Sequence, residues 1–162
     1  MAADLSNTYV VHCADTVCTM GMRQSKIVLR KSHGVYLKNQ AQMTVKDQEG
    51  VTNVICFGGC HSAENPATVA EAERIAEDVK KDTGESFEKQ VKDIFTTEGE
   101  DGSKVMACAG ECTPEIVSVQ WDKEKEDVSV EPGQNALLGE ATLTCKYGGI
   151  IKIIGAGQPE AT

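Results

Sequence analysis

The sequence predicts a mainly β protein of short strands, interrupted once by an inserted α-helical hairpin. Brief apolar runs separated by glycine fill the first and last thirds of the chain. Aromatic residues make up only 4% while glycine occurs 15 times, so a core must be built from Val, Ile, Leu and Ala between tight turns. After Cys60 the apolar spacing changes from the period of a strand to that of a helix. At 162 residues the chain has the size of one domain, 1–162, with a helical insertion at about 66–107.

The first β region runs from Tyr9 to Cys56, through "TYVVHC", "SKIVLRK", "GVYL", "AQMTVK" and "VTNVIC". Alternation is clearest from Lys26 to Arg30, where an edge strand would bury Ile27 and Leu29 and expose its charges. Asn65 and Pro66 then suit a helix cap and first helical position. Val69, Ala72, Ile75, Ala76 and Val79 mark one apolar face, predicting a helix to about Lys81. Gly84 breaks that pattern, and Phe87, Val91, Ile94 and Phe95 predict a second amphipathic helix of roughly ten residues. "TTEGEDGSK" reads as a polar return loop. The last third reads as strands again, in "EIVSVQW", "DVSVE", "NALLGE", "ATLTCKY" and "GGIIKII", with Trp121 as a core or edge anchor.

The formal net charge is −9, the wrong sign for a nucleic-acid groove, which needs clustered Lys and Arg. The charge is uneven: residues 64–131 hold 19 acidic and 8 basic side chains, net −11, leaving the remainder at +2. No apolar run reaches bilayer length, and "MAADLSNTYVV" lacks the regions of a signal peptide, so synthesis in a cytosol is expected. The sequence contains no G-x-S-x-G elbow, H-E-x-x-H, P-loop or C-x-x-C, and the expectation is a protein that is not an enzyme.

Seven cysteines are the main chemical signal, and their odd number forbids complete internal pairing. Cys56 and Cys60 flank two glycines, and Cys108 and Cys112 repeat the spacing. A thiolate zinc cage draws single donors from separated loops that turn tightly. Cys18, Cys60, Cys112 and Cys145 each lie beside glycine or proline and suit one such site, with His12 and His33 as reserve ligands. Two other readings stay open: buried thiols acting as small apolar side chains, and disulfides formed outside the cell, for which Cys56 and Cys108 are candidates. The corresponding functions are an independent zinc-binding interaction module whose acidic helices recruit a basic partner, and a thiol redox protein.

The order "TYVVHCADTVCTMG", "SHGVYLKNQAQ", "NVICFGGCHSAENP", "CTP" and "NALLGEATLTCKYGGIIKI" resembles the PAAR-like spike-tip proteins of bacterial contractile injection systems. The resemblance covers Tyr9 to Cys60 and Cys112 to Ile154. It implies a small cone-shaped β fold seated, one copy per trimer, on a VgrG-like spike that it sharpens for membrane puncture and effector delivery. It also implies zinc near the apex held by Cys18, Cys60, Cys112 and Cys145, with Cys56 and Cys108 as additions of this chain. Contact with a membrane would be transient, and assembly in the bacterial cytoplasm would precede delivery outside the cell. "GGIIKII" is the candidate strand facing the spike, and the acidic insertion is the candidate contact for an effector or cargo.

Overall fold

The computed structural model describes Leu5 and residues 8–83, 96–98 and 104–157. In chain order the elements are β1 (Asp15–Cys18), β2 (Ser25–Lys26), β3 (Tyr36–Leu37), β4 (Gln40–Ala41), β5 (Cys60–Ser62), α1 (Pro66–Thr83), β6 (Thr96–Glu98), β7 (Lys104–Gly110), β8 (Glu124–Glu131), β9 (Gln134–Leu137), β10 (Thr142–Thr144) and β11 (Ile150–Gly155). The protein is mainly β, as its short apolar runs predict. No helix among the described residues is long and apolar enough to cross a membrane.

Among the described residues the strands form four small sheets, in the orders β10-β11-β1-β2, β3-β4, β5-β7-β6 and β8-β9. Isolated bridges tie the β segments together, among them Tyr9 to Leu138, Val11 to Gln42, Ile27 to Val54 and Thr44 to Ala136. Ile27, Met43, Val45, Val54, Phe57 and Trp121 meet Leu137, Leu143 and Ile151 in one apolar core. Trp121 is a core residue rather than an edge anchor: it is fully buried and its indole N–H donates to the Asp47 carbonyl at 3.0 Å. β2 lies at a sheet edge, with Ile27 buried and Leu29 half-buried beyond it.

α1 starts where the Asn-Pro signal places it. The Asn65 side-chain oxygen accepts from the Ala67 N–H at 3.0 Å, and Lys80 and Lys81 face the negative end of the dipole. Ala72 and Ala76 pack with Met106 against β7, whereas Val69 is 37% exposed instead of joining the apolar face. The second helix expected around Phe87, Val91, Ile94 and Phe95 lies outside the described residues. The stretch at about 66–107 is not wholly helical, because β6 and β7 pair antiparallel with Thr97 opposite Val105. The expected return loop therefore contributes β structure, consistent with the β-branched Thr96, Thr97 and Val105.

Two other expectations change. "EIVSVQW" supplies only a bridge from Ile116 to Cys145, and Val117 and Val119 are 58% and 81% exposed because Ser118 turns its hydroxyl to the Thr144 N–H. β11, within "GGIIKII", lies between β10 and β1, so its backbone is paired on both sides and offers no open edge.

Candidate metal centre

Each of the four cysteines singled out by sequence sits at or near the end of a strand. Cys18 closes β1, Cys60 opens β5, Cys112 follows β7 by two residues and Cys145 follows β10 directly. Pairing sets their approach: Cys18 is opposite Ile151, Cys60 bridges Gly21, and Cys145 bridges Ile116. After Cys145 the chain reverses within five residues. The Cys145 N–H donates to the Gly149 carbonyl at 2.8 Å and the Gly148 N–H returns a bond to Cys145 at 3.0 Å. Gly148 has φ +88, a conformation that a side chain disfavours.

All four thiols line one cavity of about 20 Å³, together with Met20, Phe57, Asn65 and Tyr147. That space is on the scale of a single water or ion, for which about 10–15 Å³ is the lower limit. Cys60 and Cys145 are buried, and Cys18 and Cys112 are half-buried. Gly149 completes the enclosure by having no side chain: a Cβ there would stand 2.6 Å from the Cys18 sulfur.

Burial pushes the Cys18 thiol up to about 11, helped by the neighbouring Cys145, Cys112 and Cys60 and opposed by a backbone hydrogen bond at Met20. Cys112 is raised as well, first by burial, with Cys60, Cys56 and Cys145 adding to the shift. The Phe57 N–H donates to the Cys112 sulfur at 3.4 Å and works the other way. Both thiols are therefore neutral at ordinary pH, and only a cation among them would favour thiolates.

Among the described residues no group of three or more His, Cys, Asp or Glu side chains is drawn in tightly enough to grip an ion as it stands. The four cysteines share a cavity without closing on a point. A tetrahedral zinc–thiolate shell needs sulfurs about 3.8 Å apart around bonds of about 2.3 Å. Neutral thiols have no charge holding them at that spacing. The donor chemistry fits zinc, since four soft sulfurs around an ion-sized space suit it and leave no position for a reacting ligand.

The remaining cysteines and the histidines do other things. All seven cysteines are free thiols. Cys56 influences Cys112 without lining the cavity, and Cys108 packs against the cluster of Ala72, Ala76 and Met106, its thiol raised first by burial. The reserve ligands are occupied elsewhere. His12 accepts the Leu29 N–H through Nδ1 at 2.8 Å. His33 is held between Asp47 at 2.9 Å and Glu131 at 3.1 Å. His61 places Nδ1 3.0 Å from the carbonyls of Met106 and Cys108.

Sequence reasoning missed the role of Asn65, read only as a helix cap, and gave no signal for Thr68, whose buried hydroxyl donates to the Cys60 carbonyl at 2.6 Å. A buried-prone Thr one turn into a helix that follows a cysteine is too common a pattern to stand out. No curated protein and no solved structure matches the chain. Residues 10–158, nearly its whole length and all four cavity cysteines included, match the family described as a domain of unknown function, DUF4280, and the chain belongs to that family.

Proposed function

We propose that this chain is a non-enzymatic, metal-stapled tip of a bacterial contractile injection system, capping and sharpening a trimeric VgrG-like spike for membrane puncture and effector delivery. The observation that carries the reading is the meeting of Cys18, Cys60, Cys112 and Cys145, from four separated segments, at one ion-sized cavity. Those positions are the ones the resemblance to PAAR-like proteins implies. Zinc bound there would join four strand ends, replacing apolar packing where short strands enclose little volume. The raised thiols of Cys18, Cys108 and Cys112 are unlike the depressed thiol of a redox nucleophile, which weighs against a thiol oxidoreductase.

The partner in this reading is the spike, one copy of this chain per trimer, with the acidic segment around α1 available to an effector or cargo. Assembly takes place in the bacterial cytoplasm and the tip is delivered outside with the particle, touching a membrane only during puncture. Co-expression with the trimeric spike protein of the same system tests it. Native mass spectrometry is expected to give one copy per three spike chains, and failure to co-purify would overturn the proposal.

A further inference from the structure

The stretch from His61 to Thr68, where β5 passes into α1, touches all four cysteine segments through hydrogen bonds. The His61 N–H donates to the Met20 carbonyl at 2.8 Å, two residues beyond Cys18. The Thr68 hydroxyl donates to the carbonyl of Cys60 itself at 2.6 Å. The Asn65 side-chain amide donates to the Glu111 carbonyl at 3.2 Å, immediately before Cys112. The Ser62 hydroxyl donates to the Tyr147 carbonyl, two residues beyond Cys145.

The three side chains involved are buried, Ser62 and Thr68 completely and Asn65 to 3% exposure. Asn65 also borders the cavity. Helix capping explains only part of this arrangement. Asn65 caps α1 with its side-chain oxygen, leaving its amide nitrogen for the Cys112 segment. Ser62 and Thr68 send their protons to carbonyls 85 and 8 residues away in sequence, each at a thiol-bearing segment. Gly110 allows the approach, because a Cβ there would collide with the backbone of Ala67 and Thr68. The start of the helix is thus fixed to the cavity wall.

We propose that Ser62, Asn65 and Thr68 are positioning residues for the four-cysteine centre, coupling the start of the helical segment to metal affinity. The inference rests on the metal reading above. Hydrogen-bonded supports of this kind hold donor-bearing loops in place, and losing one typically lowers metal affinity roughly 10- to 100-fold.

The test compares Thr68→Val, Asn65→Ala and the hydroxyl-retaining Thr68→Ser with Thr44→Val in the full chain. Thr44 is a suitable control because it is also fully buried and donates to Gln134 at 3.0 Å in a different polar network. Zinc affinity is measured by competition with a chromophoric chelator, and site geometry by the absorption of Co²⁺ as a spectroscopic substitute. Thr68→Val and Asn65→Ala are expected to weaken zinc roughly 10- to 100-fold and to reduce the tetrahedral Co²⁺ bands. Thr68→Ser is expected to restore both, and Thr44→Val to leave both unchanged despite a loss of stability. Wild-type affinity and spectra in Thr68→Val and Asn65→Ala would overturn the inference.

If the wild-type protein itself takes up no zinc, the metal reading fails separately. The alkylation rates of Cys60 and Cys112 in the zinc-free protein then decide the positioning role. Faster labelling in Thr68→Val than in Thr44→Val upholds it, and equal rates overturn it.

Discussion

Replacing Gly149 by alanine places one methyl group against the Cys18 sulfur. The added Cβ would stand 2.6 Å from Sγ and 3.5 Å from the Met20 Cγ. Favourable contact between such atoms begins near 3.5–4.0 Å, so the sulfur must retreat by about 1 Å. The Cys18 backbone is held by its pairing with Ile151 and by the bonds that Thr19 exchanges with Ile150 at 3.0 and 2.9 Å. The thiol therefore rotates out of the cavity instead of moving with its strand. Gly149 does not have a positive φ, so the cost is steric, in the range of about 1–3 kcal/mol for overpacking. For a domain of this size that corresponds to a fall in Tm of roughly 2–12 °C. Circular-dichroism melts with and without zinc provide the assay, with Gly133→Ala as the comparison. Gly133 has nothing within 4 Å and φ +77, so its substitution costs backbone strain but leaves the cavity intact. Gly149→Ala should lose most of the zinc-induced rise in Tm while Gly133→Ala keeps it. Unchanged melting and an unchanged zinc response in Gly149→Ala would refute the packing argument.

Cys145→Ser should lower the Tm of the zinc-loaded protein more than Cys56→Ser, because Cys145 is buried and lines the cavity whereas Cys56 is half-buried and does not line it; equal Tm values for both variants and wild type would count against the assigned set. His33 predicts a pH dependence. Burial is the largest single influence on its imidazole and opposes the charge, but hydrogen bonds and charge from Asp47, and then Glu131, together raise its pKa above the ordinary value. A raised folded pKa means that this stabilisation is fully present below the unfolded value of about 6.5 and is lost as pH rises through the folded pKa. Urea titrations of wild type and His33→Asn should therefore diverge most below about pH 6.5 and converge at alkaline pH; a gap that widens with pH would contradict the sign.

The cavity set was legible because Cys18, Cys60, Cys112 and Cys145 each carry a local mark, a glycine or proline nearby. α1 was legible too, since its cap and its alanine face are local features. The strands were less so. "EIVSVQW" alternates as a strand should, yet Val117 and Val119 face outward because the neighbouring Ser118 hydroxyl bonds Thr144, a choice made by a partner 26 residues away. The enclosure of β11 between β10 and β1 depends on pairing between distant parts of the chain. The partners of the reserve histidine were not legible for a similar reason: Asp47 and Glu131 reach His33 from distant parts of the chain. Thr68 and Ser62 matter through carbonyl partners that no sequence pattern marks.

Zinc K-edge X-ray absorption on the zinc-loaded full chain tests the central claim most directly. One equivalent of zinc surrounded by four sulfurs at about 2.3 Å is the result expected of Cys18, Cys60, Cys112 and Cys145. A shell dominated by nitrogen or oxygen, or zinc well below one equivalent in fully reduced protein, would contradict it.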